Sequence, residues 1–130
     1  MRASPFLIVF ALLATSGTVS AKRDRQAIPP ATPSGEAVSC VPLQNIRSTR
    51  VHGDQVIDFH MSGGKVYRNT LPYACSSLGF EERFSYKTSI NQLCSSDIIT
   101  VIQTPISIAG PSCGLGRFQP VTLIKPAKKK

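Results

Sequence analysis

Tryptophan is missing from this chain, histidine occurs only at His52 and His60, and 7 acidic residues stand against 15 Lys and Arg. No Cys-x-x-Cys occurs, so a thioredoxin-like redox site and a zinc knuckle both lose their local signature. Also lacking are a Gly-x-Ser-x-Gly elbow, a His-Glu-x-x-His helix and a Gly-Lys-Ser/Thr phosphate loop, which leaves no recognised catalytic motif. The apolar run from Phe6 to Ala14 is about half the roughly 20 residues that a membrane-spanning helix needs. No cysteine follows that run directly, the first being Cys40, so the pattern of a lipid-anchored protein is not met.

What the N-terminus does hold is an export pattern. "MRASPFLIVFALLATSGTVSA" has a basic start at Arg2, a short apolar stretch and small residues at Val19-Ser20-Ala21, the form of a signal peptide cleaved after Ala21. Residues 1 to 21 are therefore set apart from the fold, and the expected location is the periplasm or the extracellular space. Residues 22 to 39 hold three prolines and few large apolar side chains, too little to offset the entropy of ordering, and are expected to be a disordered basic leader. The folded domain is expected over residues 40 to 124, followed by a Lys-rich disordered tail over 125 to 130.

Charge follows the same division. The formal net charge is +8, but residues 40 to 120 carry seven Lys or Arg against five Asp or Glu, so the basicity lies in the terminal segments. A nucleic-acid binder concentrates charge on one face with interleaved aromatics; that pattern is missing, and no nucleic-acid partner is expected. The basic tails suit weak contact with anionic polymers or lipid headgroups.

All four cysteines, Cys40, Cys75, Cys94 and Cys113, fall within the domain. An even count in a small exported chain reads as a disulfide framework with three possible connectivities. Pairing Cys75 with Cys94 and Cys40 with Cys113 is the expectation, the first closing a short local loop and the second tying the start of the domain to its end.

Between the cysteines the periodicity is that of strands. "QVIDFHMSGGKVYRNTL" alternates on both sides of Gly63-Gly64, which reads as a hairpin with a two-residue turn. That register pairs Met61 with Val66, His60 with Tyr67 and Asp58 with Asn69. It puts Ile57, Phe59, Met61 and Val66 on a core face, and gathers Asp58, His60, Tyr67 and Asn69 on the other as a candidate binding face. Here an acid, a titratable base and a hydroxyl come within side-chain reach. His52, beside Gly53-Asp54, reads as an exposed loop histidine, and Glu81-Glu82 as a diverging pair. Further strands are expected at "LQNIRSTRV", at "RFSYKT", at "IITVIQ" as a central strand, and at "RFQPVTLI", where Pro120 implies an edge. Ser89 with Gln92 can cap one short helical turn. The fold class is all-β, a small barrel or compact sandwich of five or six short antiparallel strands.

The segment "GPSCGLGRF" over 110 to 118 has the glycine content of a phosphate loop but not its context, because a strand-like run with Pro120 follows where a helix is needed. Gly110-Pro111 reads as a turn pinned by Cys113, with Gly114 and Gly116 supplying positive φ or close backbone approach.

Taken in order, the blocks C-x-P-x-x-x-I, Y-R-N-T-L-P-x-x-C, F-S-Y-x-T-S-x-x-Q-L-C-S-x-D-I-I-T-V and G-x-S-C-G-L-G-x-F resemble a domain-of-unknown-function family of small exported proteins from Gram-negative bacteria. The resemblance covers about residues 40 to 121 and implies an exported, cysteine-stapled domain without an assigned activity. The expected function is a monomeric, non-enzymatic binding or structural module of the cell envelope, without cofactor, whose partner is a protein or a glycan. The alternative is a small hydrolase or metal-dependent enzyme built on the Asp58, His60 and Tyr67 face.

Overall fold

The computed structural model describes residues 27 to 124; the expected signal peptide and Lys-rich tail lie outside them. The domain is predominantly β-strand, with one short helix and two disulfides. Ten strands form among the described residues, β1 (Ala31–Pro33), β2 (Cys40–Pro42), β3 (Ile46–His52), β4 (Val56–Met61), β5 (Val66–Thr70), β6 (Phe84–Tyr86), β7 (Gln92–Cys94), β8 (Ile98–Gln103), β9 (Ile108–Gly114) and β10 (Phe118–Leu123). Helix α1 is the single turn Leu78–Glu81. Instead of five or six strands in one barrel or sandwich, the strands divide among three sheets: a five-stranded one in the order β1-β10-β5-β4-β3, a three-stranded one, β6-β8-β9, and the pair β2-β7.

The core lies between the two larger sheets. Ile57, Phe59, Met61 and Phe118 project from one, Ile99 and Val101 from the other, and Val41 and Leu93 from the small ladder. Phe59 is fully buried and meets Phe118 and Phe84 edge-on, with ring centroids 5.3 and 6.4 Å away, the arrangement that the aromatic quadrupole favours. Strand β8 is central in its sheet as expected, but only one of its faces is fully covered: Ile99 and Val101 are buried while Ile98 is exposed and Ile102 only half-buried. The helical turn is at α1 and not after Ser89, because Gln92 is taken up by pairing with Pro42 across the small ladder.

The disulfide pairing is not the expected one. The disulfides join Cys40 to Cys94 and Cys75 to Cys113. Cys40 and Cys94 are direct cross-strand neighbours on β2 and β7, a juxtaposition made by long-range pairing, so the short Cys75-to-Cys94 loop is not the one closed. Both bridges span long separations, 54 and 38 residues, and on the chain-entropy account each restricts the unfolded state by about 4 kcal/mol.

Part of the expected disordered leader is also structured. Residues 31 to 33 form β1 on β10, and Val38 makes an isolated bridge to Phe118. Pro120 explains why this pairing is interrupted. Its carbonyl accepts the Ser34 N–H at 2.9 Å, so the ring nitrogen faces the same way and has no hydrogen to return. The chain leaves β10 there and rejoins at Val38. Strand β10 is therefore interior, flanked by β1 and β5, and Pro120 lies where its first neighbour breaks off.

Finally, Gly110-Pro111 lie within β9 rather than in a turn. Between Thr100 and Ile102 the β8–β9 register shifts, and a strand proline is tolerated at such a bulge.

Candidate functional site

The expected binding face depended on the hairpin register, and the register differs by one residue. Met61 N–H donates to the Lys65 carbonyl at 2.8 Å, so the loop is Ser62-Gly63-Gly64, with Gly63 and Gly64 at φ 80° and 82°. The pairs become Ile57 with Asn69, Asp58 with Arg68, Phe59 with Tyr67 and His60 with Val66. Directly opposed residues share a face. Asp58 and His60 thus sit with Arg68 and Val66, while Tyr67 and Asn69 move to the core face with Phe59 and Ile57. The four candidate residues are not brought together.

Each has a different environment. Tyr67 packs half-buried against the core, and Asn69 is wholly buried. The Asn69 amide donates from Nδ2 to the Gly116 carbonyl at 2.7 Å and accepts the Gly116 N–H on Oδ1 at 2.8 Å. This pair of bonds answers what "GPSCGLGRF" is for: it is a backbone segment fastened by Asn69 on one side and by the Cys75–Cys113 bridge on the other. A side chain at Gly116 would collide with the Thr70 carbonyl oxygen, so close approach demands glycine there. Gly114 has no such requirement, since its φ is not positive and a Cβ would meet nothing within 4 Å.

Asp58 is fully buried. Its Oδ1 accepts from Arg68 Nε at 2.8 Å, and its Oδ2 accepts from Arg68 Nη2 at 3.0 Å. His52 Nε2 stands 3.1 Å from that same Oδ2. His52, expected on an exposed loop, ends β3 with a side chain only 12% exposed. Cross-strand pairing accounts for the cluster, because Arg50, Asp58 and Arg68 are directly opposed across β3, β4 and β5, with His52 one rung along. A bidentate guanidinium with an imidazole leaves the carboxylate no open side toward a substrate. Arg68 Nη2 also donates to the Pro29 carbonyl at 2.9 Å, so the cluster fastens the leader to the sheet. The hydrolase alternative loses the constellation on which it rested. Glu81, in α1, accepts from the Thr104 N–H and hydroxyl, and Glu82 caps the helix rather than following it in a strand. Among the described residues no group of three or more His, Cys, Asp or Glu side chains is placed to hold a metal ion.

An open concave surface lies elsewhere among the described residues, on the solvent face of the three-stranded sheet. A groove of about 430 Å³ is lined by Ser85, Tyr86, Lys87, Ser96, Asp97, Ile98 and Thr100. Ser85 and Ser112 are the two direct neighbours of Thr100 across β6, β8 and β9, and the Thr100 and Ser112 hydroxyls are 2.9 Å apart. One rung away, the exposed Ile98 is opposite Gly114, so an apolar patch with a bare backbone floor adjoins the row of hydroxyls. Lys87 and Asp97 supply one charge of each sign. The alternation in "RFSYKT" places Ser85 and Lys87 outward, but the partnership of these residues with Thr100, Ser112 and Gly114 required the β6-β8-β9 pairing, which periodicity does not reveal.

No protein-family model, curated protein or solved structure matches this chain, so the family resemblance is supported only as far as a small four-cysteine domain with two disulfides.

Proposed function

We propose that this chain is an exported, non-enzymatic binding module of the cell envelope that takes a polyhydroxylated ligand, a glycan, on the groove of the three-stranded sheet. The observation that carries the reading is the groove's composition. Hydroxyls of Ser85, Ser96 and Thr100 with Lys87 and Asp97 offer donors and acceptors for sugar hydroxyls, and Ile98 beside Gly114 offers a flat apolar surface for the C–H face of a ring. Gly114 fits this use, because neither backbone conformation nor packing calls for glycine at that position. Export is supported by the signal pattern of residues 1 to 21 and by the pairing of every cysteine. The basic segments at residues 22 to 25 and 125 to 130 add a weak, salt-sensitive attraction to anionic polymers or lipid headgroups.

The test is an NMR titration of the full mature chain with soluble peptidoglycan fragments and with lipopolysaccharide core oligosaccharide. Amide shifts confined to Lys87, Ile98, Thr100 and Gly114 are expected, and Gly114→Leu should abolish them without lowering the melting temperature. Shifts centred on the terminal segments alone, or none with either glycan, would overturn the reading.

A further inference from the structure

One side of the groove hangs on a short ladder. Lys87, Ser96 and Asp97, all lining it, lie in the stretch that joins β6 to β8, and the strand formed within that stretch is β7. Strand β7 has three residues and pairs with β2 alone; a two-stranded ribbon so short is marginal by itself. Besides the buried Leu93, what ties it down is the bridge between Cys40 and Cys94, which are directly opposed on the two strands.

The turn that follows is closed on Cys94 itself. Its N–H donates to Asp97 Oδ2 at 2.7 Å, and the Asp97 N–H donates to the Cys94 carbonyl at 2.9 Å. Next to the bridge, the Ser95 N–H donates to the Ser39 carbonyl at 2.7 Å. Ser96 and Asp97 therefore take their places in the groove wall from Cys94. The two disulfides also differ in access. Cys75 belongs to the hydrophobic core and Cys113 packs against it, whereas Cys40 and Cys94 are half-buried and stand outside that cluster. Thiol–disulfide exchange needs a reachable sulfur.

We infer that, given the glycan site proposed above, the Cys40–Cys94 bridge is a redox latch on it: oxidised, it holds the 94 to 97 turn in binding geometry, and a dithiol reductant opens it and weakens the ligand's hold. A thiolate of the dithiol attacks one bridge sulfur, forming a mixed disulfide and expelling the other sulfur as a thiolate that takes up a proton. The dithiol's second thiolate then displaces the remaining cysteine, which is protonated in turn. Two electrons pass to the bridge, and the dithiol leaves as a disulfide.

The double variant Cys40→Ser/Cys94→Ser, which keeps the Cys75–Cys113 bridge, tests this on the full mature chain beside the parent treated with graded dithiothreitol. In both, the amide resonances of residues 95 to 98 should shift or broaden while those of Phe59 and Ile99 hold their positions. Binding of soluble peptidoglycan fragments or lipopolysaccharide core oligosaccharide should weaken at least about tenfold, as loss of the Ser96 and Asp97 hydrogen bonds implies. Should the variant not fold, the dithiothreitol series carries the same readouts, with alkylation and peptide mapping to show which bridge has opened. Unmoved resonances at 95 to 98 once the bridge is open, or earlier reduction of Cys75–Cys113, would overturn the latch. Undiminished glycan binding would also overturn it and leave the groove as the binding site, whereas an oxidised parent that binds neither glycan would overturn both.

Discussion

Truncating Asn69 to alanine discriminates between the two hairpin registers. In a two-residue turn at Gly63-Gly64, Asn69 would share the solvent face with Asp58, and its loss would cost within about 0.5 kcal/mol, as for a surface change. In the three-residue loop it is wholly buried and is bonded through its amide to both the N–H and the C=O of Gly116. Alanine strands both of those groups, and an unsatisfied buried polar group costs about 1 to 3 kcal/mol. The small void left by the amide adds to this, for a total of about 4 kcal/mol. For a domain of this size such a loss lowers the melting temperature by about 15 to 30 °C. Thermal unfolding followed by circular dichroism under non-reducing conditions reads it, with Tyr73→Ala, at an 83% exposed residue, as the neutral control. A variant whose melting temperature stays within about 3 °C of the parent, which is under 1 kcal/mol, would refute the register and the fastening of the 110 to 118 segment together.

Phe59→Ala should cost about 3 to 5 kcal/mol in urea unfolding, since it empties the junction of the two larger sheets. Asp58→Ala should also cost about 3 to 5 kcal/mol, because it leaves Arg68 desolvated without its partner, whereas His60→Ala should stay within about 0.5 kcal/mol; equal effects would contradict the cross-strand assignment. Partial reduction followed by alkylation and peptide mapping should label Cys40 and Cys94 first, because they are half-buried whereas Cys75 is fully enclosed; early labelling of Cys75 would reverse that order. Deleting residues 22 to 39 should lower stability, each backbone hydrogen bond lost at Ser34, Val38, Phe118 and Ile124 being worth about 1 kcal/mol, and an unchanged melting temperature would return that segment to a disordered leader.

Much of the strand content could be read from alternation: Phe59, Ile57 and Met61 face the core as expected, and the runs at 46 to 52, 84 to 86, 98 to 103 and 118 to 123 are strands. Register could not be read. Strand β4 is covered on both faces at Val56, Ile57, Asp58 and Phe59, so its apolar pattern does not penalise a slip in the way that a half-exposed strand does. The choice between a two- and a three-residue loop then rested on Ser62, a residue compatible with either. The disulfides escaped for a related reason. Cys40 meets Cys94 only because β2 pairs with β7, a contact whose sequence separation gives local spacing nothing to detect. Asp58 and His60 share a face in either register, but a two-residue turn sets Arg68, which saturates the acid, opposite Phe59 instead of opposite Asp58.

Pro120 has a consequence that appears only when the leader is imagined away. With residues 27 to 38 detached or proteolysed, β10 becomes the rim of the sheet, a position from which β-proteins nucleate aggregates. Its rim-facing groups include Pro120, which offers a carbonyl but no N–H. An incoming strand would meet a missing donor in the middle of the ladder, as β1 itself does. The same residue that cuts β1 short therefore acts as a gatekeeper, giving a clipped or partly unfolded molecule a built-in resistance to templated association.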